Sequence, residues 1–134
     1  MSPHQIVTAP ELAPPSGYAH AVVATSGRTV FLGGQTALGP DGTIVGGTVA
    51  EQFDVAAGNV IAALRAAGGS PSDLVQLIIY VTDVRAYKAA LGELGPLWRK
   101  HFGRHYPAVA LLGVTELFDE PAVIELVGTA VVTG

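Results

Sequence analysis

The sequence predicts an α+β fold in which one mixed β-sheet carries two helices packed on one face. Two observations lead to this prediction. The 134 residues are 49% hydrophobic and only 13% charged, which supplies enough apolar material for a core. The patterned segments also follow the order strands, helix, strand, helix, strands, and no stretch between them has the composition of a linker. We therefore expect residues 1–134 to form a single domain.

The chain is expected to begin with an extended N-terminal arm covering residues 1–16. Residues 9–17 are rich in proline and small side chains, which favour extended backbone over helix. The arm is therefore expected to lead directly into the first strand.

Two apolar, β-branched segments at residues 19–25 and 29–35 predict the first strands. The short connection Ser26-Gly27-Arg28 between them predicts a tight hairpin. Gly39-Pro40-Asp41-Gly42 has the composition of a second turn, and residues 43–45 continue as extended chain.

The first helix is predicted over residues 49–67. Thr48 and Glu51 have the spacing of a capping box at its start, and Gly68-Gly69 follows its end. Four apolar side chains recur near one stripe at a period of 3.6 residues: Val49, Phe53, Val60 and Leu64.

A second helix and the strand before it make up the middle of the chain. Residues 70–73 (Ser-Pro-Ser-Asp) predict a short helical turn, and the apolar run 75–82 predicts a central strand buried on both faces. Asp83 is expected to cap a helix that reaches about Phe102, with a kink or break at Gly95-Pro96.

The last two strands are predicted at residues 107–114 and 122–132, because both segments are apolar and rich in β-branched residues. The loop 116–121 joins them. With these strands the predicted sheet is complete.

The charge balance argues against nucleic acid as the main partner. Seven Lys and Arg residues against eleven Asp and Glu residues give a net charge of −4, the wrong sign for binding a phosphate backbone. Low charge together with a positive mean hydropathy favours an oligomer that buries apolar surface between its subunits.

Several other classes of protein find little support. The absence of cysteine excludes disulfides and thiolate chemistry. His101 and His105 are four residues apart, but Gly103 lies between them and no third ligand is evident, so no metal site is predicted. The N-terminus lacks the pattern of a signal peptide, and no apolar run has the length of a membrane span, so we expect a cytoplasmic protein with no membrane partner.

Glu125 is the most conspicuous candidate for chemistry, because it lies in the middle of an apolar strand. A carboxylate there is costly to bury unless it is hydrogen-bonded, paired or used. One interpretation is a solvent-facing or ion-paired strand residue. The other is a carboxylate with a raised pKa in a partly dry pocket, where it deprotonates a water molecule and later returns the proton.

The strand Val30–Leu32 ends in Gly33-Gly34, and two residues without a Cβ allow a ligand or another backbone to approach the main chain closely. The alternative interpretation is a bulge or a close contact between subunits. Tyr18 lies next to Gly17 at the entry of the first strand; taken alone, an aromatic residue there is more often part of the packing than of recognition.

Taken together, Gly17-Tyr18-Ala19-His20-Ala21, the segment 30–42 and Ala122-Val123-Ile124-Glu125-Leu126 resemble the Rid (YjgF-like) family of reactive imine deaminases. The resemblance extends from about Gly17 to Val132. It implies a chorismate-mutase-like fold and a homotrimer whose sheets form an inner β-barrel, with a site in each cleft between subunits.

The same resemblance implies hydrolysis of a small-molecule imine or enamine to a carbonyl compound and ammonia, without a cofactor. Glu125 would position the hydrolytic water, the main chain at Gly33 and Gly34 would contact the substrate, and Tyr18 would line the pocket. His20 occupies a position where the family usually has glutamine, and we expect it to contact the ligand.

The chain departs from the family pattern at Val109. Family members that act on imines of amino acids carry an arginine there, whose guanidinium forks onto the substrate carboxylate. This chain has Pro107-Ala108-Val109-Ala110 instead, so Val109, Ala110 and Leu111 form the expected wall of the binding site. The usual 2-imino acids are therefore not the expected substrates. Arg104 and His105 lie just upstream as alternative polar groups.

Two other functions remain open on these residues. One is a non-catalytic, trimeric small-molecule-binding or chaperone-like protein that kept the pocket and lost turnover. The other is a ribonuclease, as some relatives were described. Its only electrostatic support is the small cluster Arg99, Lys100 and Arg104, which also has the simpler explanation of cations at a helix C-terminus.

Overall fold

The computed structural model describes residues 1–134. The strands in chain order are β1 (Gln5–Val7), β2 (Ala21–Val23), β3 (Arg28–Phe31), β4 (Leu74–Val81), β5 (Ala108–Gly113) and β6 (Ile124–Val132). The helices are α1 (Val49–Ala66), α2 (Val84–Ala89) and α3 (Leu91–Phe102), and a 3₁₀ turn covers Pro71–Asp73.

Four of the strands form a mixed sheet in the order β3-β6-β4-β5, and β1 pairs with β2 in a separate two-stranded sheet. Within the larger sheet β4 runs parallel to β5, while β6 is antiparallel to both of its neighbours. The predicted α+β class with a mixed sheet is confirmed. The two-stranded sheet was not predicted, because β1 lies within the segment expected to be an extended arm.

The core lies between the larger sheet and the helices α1 and α3. Leu77 and Ile79 of β4 and Leu126 of β6 are buried toward α1, whereas Ile78 and Val127 point to the opposite face and are only half-buried. The prediction that β4 is buried on both faces is therefore wrong within the single chain. The second face of the sheet remains an accessible, largely apolar surface.

Helix α1 begins at the predicted capping box. The Thr48 hydroxyl accepts a hydrogen bond from the Glu51 amide at 3.1 Å, and the Glu51 carboxylate accepts one from the Thr48 amide at 3.0 Å. These bonds satisfy amides that otherwise have no partner at a helix N-terminus.

Replacing Thr48 with alanine is expected to lower the free energy of unfolding by about 1 kcal/mol, because the Glu51 amide loses its acceptor. Urea denaturation of the purified protein at fixed protein concentration measures the change. Thr133→Ala is the control, since Thr133 is exposed and lies beyond the last strand. An unchanged midpoint for Thr48→Ala would contradict this assignment of the cap.

The predicted hairpin at Ser26-Gly27-Arg28 is wrong. The strands on either side of it belong to different sheets, since β2 pairs with β1 and β3 pairs with β6. The N-terminal segment occupies the hydrogen-bonding groups just before the connection: the Thr25 amide donates to His4 Nδ1 at 3.1 Å, and the Thr25 hydroxyl donates to Pro3 O at 2.8 Å. Partners distant in sequence therefore replace the local pairing.

The second predicted helix is two helices, and the break lies at Ala90 instead of Gly95-Pro96. Asp83 caps α2 as predicted, through a hydrogen bond from the Ala86 amide to its carboxylate at 3.0 Å. Because the chain restarts its helix at Leu91, Pro96 lies in the second turn, where its missing amide removes only one helical hydrogen bond.

None of the helices combines the length and the apolar character needed to cross a membrane.

Candidate active site

Glu125 lies on the sheet face that the helices leave uncovered. It belongs to β6 and stands directly opposite Tyr80 of β4 in the antiparallel register. Its side chain is half-buried, and both ion pairs of the chain involve Asp54, so no cation neutralises Glu125 within the protomer. The carboxylate is thus available to a ligand or a water molecule on this face.

The strand end at Gly33-Gly34 is held beside Glu125 by the backbone. The Gln35 amide donates to Leu126 O, and the Leu126 amide donates to Gln35 O, each at 2.8 Å. This reciprocal pair of hydrogen bonds holds Gln35 against Leu126 of β6, the residue that follows Glu125.

Gly34 is packed directly against the Glu125 carboxylate. A Cβ placed on Gly34 would collide with Glu125 Oε2 and would lie 2.9 Å from Cδ, whereas a Cβ on Gly33 would meet nothing within 4 Å. Only glycine therefore fits at position 34 while the carboxylate keeps this orientation. The structure brings these three predicted site residues together.

Tyr18, His20, Val109 and Ala110 form a second group at the edge strand β5. The Ala19 amide donates to Pro107 O at 3.0 Å, which fixes the Tyr18 segment alongside the start of that strand. The four residues line a shallow pocket of about 460 Å³. This group is also assembled by the fold, but at a different place from Glu125.

His20 holds the N-terminal arm through both of its ring nitrogens. The Ala9 amide donates to Nδ1 at 2.9 Å, and Nε2 donates to Ala13 O at 2.9 Å, which requires the neutral tautomer with its proton on Nε2. Both ring nitrogens of His20 are thus occupied by the protein's own backbone. The expectation that His20 contacts a ligand stays a prediction.

His20→Ala is expected to release the arm, because the Ala9 amide and the Ala13 carbonyl lose their partners. With about 1 kcal/mol lost per hydrogen bond, the Ala9 amide should exchange its proton at least roughly fivefold faster. Hydrogen exchange resolved by residue measures this, with the Leu126 amide in the sheet as the internal control. Equal Ala9 exchange rates in the two proteins would disprove the anchoring role.

Val109 and Leu111 point to the helix side of β5, where both pack against the core, whereas Ala110 points to the opposite face. The two side chains contribute to a pocket of about 780 Å³ between β5, the helices and Gly17-Tyr18. We refer to it as the aromatic pocket; its lining includes Tyr18, Tyr87, Leu91, Trp98, Val109 and Leu111.

The side chains of Val109 and Glu125 lie on opposite faces of the sheet. Val109 is next to Leu77 in register on the helix side, while Glu125 is next to Tyr80 on the uncovered side. None of the five pockets of the protomer is lined by Gly33, Gly34 or Glu125. A single protomer therefore does not place Glu125 in the same pocket as Tyr18.

Of the remaining polar candidates, all but Arg104 are engaged in structural contacts. His105 Nε2 donates to Leu74 O at 2.7 Å, and burial lowers the pKa of His105 below its ordinary value. His101 Nε2 lies 2.6 Å from Asp54 Oδ1, and Lys100 also pairs with that carboxylate at 2.9 Å. Arg104 lines a third pocket together with Tyr18 and Tyr106.

Two candidate residues were missed by the sequence analysis. Tyr80 faces the same side as Glu125, and the alternation of Gln76, Ile78 and Tyr80 within the apolar run was the available signal. Trp98 falls within the helix predicted to reach about Phe102 and was not considered as a site residue, yet it lines the aromatic pocket and donates its indole N–H to His105 O at 3.1 Å. Its role depends on the fold around it, which the local sequence does not show.

Comparison with known proteins gives one matching family model, described as Endoribonuclease L-PSP, which matches residues 8–132. Among curated proteins, the 2-iminobutanoate/2-iminopropanoate deaminase of Dermatophagoides farinae is 29% identical over 119 residues, covering 87% of this chain and 88% of the relative.

Solved structures of Rid proteins are also similar to this chain. YyfB of the conserved Rid protein family from Yersinia pestis superposes with a TM-score of 0.85 at 30% identity, covering 96% of this chain and 98% of that one. RidA from an Antarctic Psychrobacter species gives a TM-score of 0.68 at 27% identity, with 95% and 98% covered.

Proposed function

The chain belongs to the Endoribonuclease L-PSP family, also known as the Rid, YjgF or RutC family, and from this premise we propose that it is an imine or enamine deaminase. The observation that carries the proposal is the half-buried Glu125 carboxylate, which has no cation partner and rests against Gly34 on an uncovered sheet face. Such a carboxylate is suited to orient and deprotonate a water molecule.

The proposed reaction consumes one imine and one water and yields one carbonyl compound and one ammonia. Glu125 takes a proton from water as the oxygen bonds to the imine carbon, the C=N π electrons move to nitrogen, and Glu125 passes that proton to the nitrogen. In the resulting carbinolamine the hydroxyl proton is transferred through Glu125 to the nitrogen, the C–N bond breaks as the C=O bond forms, and ammonia leaves. No electrons are gained or lost overall.

We propose that the site is completed between subunits of a homotrimer. Glu125 points to the uncovered face and Val109 to the helix side, and no pocket of the single chain contains both Glu125 and Tyr18, so a second copy is needed to bring the two groups together. The uncovered face carries half-buried and exposed apolar side chains, including Ile78, Val127 and the 46% exposed Leu112. Burying them between copies supplies the driving force for assembly.

The residues around position 109 indicate whether the substrate is bound through a carboxylate. The relative from Dermatophagoides farinae is named for 2-imino acids, which carry a carboxylate. In this chain Val109 supplies no positive charge, and no charged side chain lines the aromatic pocket beside it. We therefore propose that the substrate is held by contacts other than a salt bridge to an α-carboxylate.

The test is ammonia release by the purified protein from freshly generated imines and enamines, with and without α-carboxylates. Turnover that exceeds spontaneous hydrolysis and requires Glu125 supports the deaminase. Absence of turnover across the panel, with ligand binding preserved, would favour the non-catalytic small-molecule-binding protein.

The family description also names a ribonuclease, for which the chain offers weak electrostatics. Lys100, one of three cations in the cluster near the end of α3, is already paired with Asp54, and the net charge is −4. A ribonuclease would show salt-sensitive RNA binding and cleavage. RNA cleavage that survives Glu125→Gln would favour that function over the deaminase.

A further inference from the structure

The aromatic pocket has the dimensions of a small-molecule site. Its volume is about 780 Å³, within the range of roughly 300–1,000 Å³ that ligand pockets occupy. Tyr18 lines this pocket and also the shallow pocket that contains His20 and Ala110, so the two cavities are neighbours. Val109 lies on the boundary between them.

The lining of the aromatic pocket is apolar and uncharged. Ten of its fourteen residues are hydrophobic, and none is Asp, Glu, Lys, Arg or His. The indole N–H of Trp98 is already bonded to His105 O, so it is not offered to a ligand. Burial raises the pKa of the Tyr87 phenol, which keeps that side chain neutral. A few tyrosine hydroxyls remain to orient an uncharged polar atom.

This environment disfavours a carboxylate. An ionised group that enters an apolar pocket loses its hydration, and without a cation or several donors nothing offsets that loss. A flat or alicyclic hydrocarbon group, by contrast, gains contacts with the aromatic side chains that line the pocket. Two of these side chains, Trp98 and Tyr106, stack on each other with ring centroids 5.7 Å apart.

We propose that the aromatic pocket binds the hydrocarbon substituent of a neutral, carboxylate-free aryl or alicyclic imine and of the ketone formed from it, with Val109 as the residue that selects against α-carboxylates. This inference rests on the proposed deaminase function and adds the substrate class to it. For catalysis the proposal requires that the Glu125 of a neighbouring subunit reaches the imine carbon at the pocket mouth.

Trp98 provides a direct readout, because it is the only tryptophan of the chain and lines the pocket. The probes are acetophenone and phenylglyoxylate, two stable ketones that share a phenyl group and differ by a methyl group in place of a carboxylate. Fluorescence titrations of the intact oligomer are corrected with N-acetyltryptophanamide, and isothermal titration calorimetry confirms each binding constant.

Acetophenone is expected to bind at least tenfold more tightly than phenylglyoxylate, a difference of about 1.4 kcal/mol. Val109→Arg should reverse this preference, because the guanidinium forks onto the carboxylate. Val109→Thr keeps the side-chain volume and should weaken acetophenone binding several-fold, which tests the apolar wall if Val109→Arg does not fold.

A substitution at the exposed edge of the aromatic pocket gives a further test that leaves the hydrophobic core unchanged. Leu91 lines the pocket but is 55% exposed, so Leu91→Gln should fold and weaken acetophenone binding several-fold. Val45→Gln is the matched control, since Val45 is 46% exposed and lines none of the pockets, and it should leave binding unchanged.

Equal or tighter binding of phenylglyoxylate to the unmodified protein overturns the proposal. So does the absence of any saturable change with either ketone, which would mean that a segment of another subunit fills the pocket. The proposed reaction is judged separately: selective acetophenone binding without ammonia release leaves the pocket assignment standing and removes the deaminase. Glu125-dependent release of ammonia only from carboxylate-bearing imines would leave the deaminase standing and remove the pocket assignment.

Discussion

Glu125→Gln is expected to lower kcat/KM for imine hydrolysis at least about 100-fold, because an amide cannot accept the proton of the attacking water. The substitution keeps the size and shape of the side chain, and Glu125 has no ion-pair partner in the protomer whose loss would destabilise the fold. The measurement is ammonia release under subsaturating substrate, together with a denaturation curve for each protein.

The same variant distinguishes catalysis from binding. Ketone affinity measured by Trp98 fluorescence should stay within a few-fold of the unmodified protein, since Trp98 is on the helix side of the sheet. Glu116→Gln is the matched control: Glu116 is an exposed carboxylate in the loop before β6, and its removal should leave hydrolysis unchanged. Full activity in Glu125→Gln would eliminate the proposed mechanism.

Gly34→Ala is expected to reduce activity about 100-fold while leaving the fold intact. The new Cβ would occupy the position of Glu125 Oε2, and the flexible carboxylate can swing away more easily than the backbone can shift. A displacement of about 1 Å in a catalytic group is enough for a loss of this size. Gly34 does not have a positive φ, so alanine introduces no backbone strain there.

A double-mutant cycle tests this cause. In the Glu125→Gln background, Gly34→Ala should add little further loss, because the group it displaces has already lost its function. Gly92→Ala is the control for the change itself, since a Cβ at Gly92 meets nothing within 4 Å. Additive losses in the double variant would show that Gly34 acts independently of Glu125, for instance through main-chain contact with the ligand.

Gly33→Ala tests directly whether a ligand contacts the main chain at this strand end. Its Cβ would enter open space within the protomer, so the substitution does not disturb Glu125. Any loss of ketone affinity in this variant reports a ligand or a neighbouring subunit that approaches the Gly33 main chain closely.

Local sequence patterns determined those parts of the fold that depend on neighbouring residues. The capping box of Thr48 and Glu51, the 3₁₀ turn after Ser70 and the N-cap at Asp83 are set by hydrogen bonds that span three residues. The long apolar runs were also sufficient to identify β4 and β6. The family pattern then selected Glu125 and Gly34, which the structure places in contact.

One error arose where a segment's partner is distant in the chain. Ser26-Gly27-Arg28 has the composition of a hairpin turn, but His4 binds the Thr25 amide and β6 pairs with β3. The break between α2 and α3 fell at Ala90, a residue with high helix propensity, while Pro96 was accommodated. Long-range pairing overrode local preference at the predicted hairpin, whereas nothing in the structure explains why the helix breaks at Ala90.

The sequence by itself determined the fold class, the family and the residue types available for chemistry, because periodicity, capping and motif spacing are local properties. Only the tertiary structure decided that Glu125 and Val109 face opposite sides of the sheet, that His20 is occupied by the arm, and that aromatic residues from α2 and α3 surround Val109. Strand register and helix packing bring together residues that are far apart in the chain, and no local pattern encodes that arrangement.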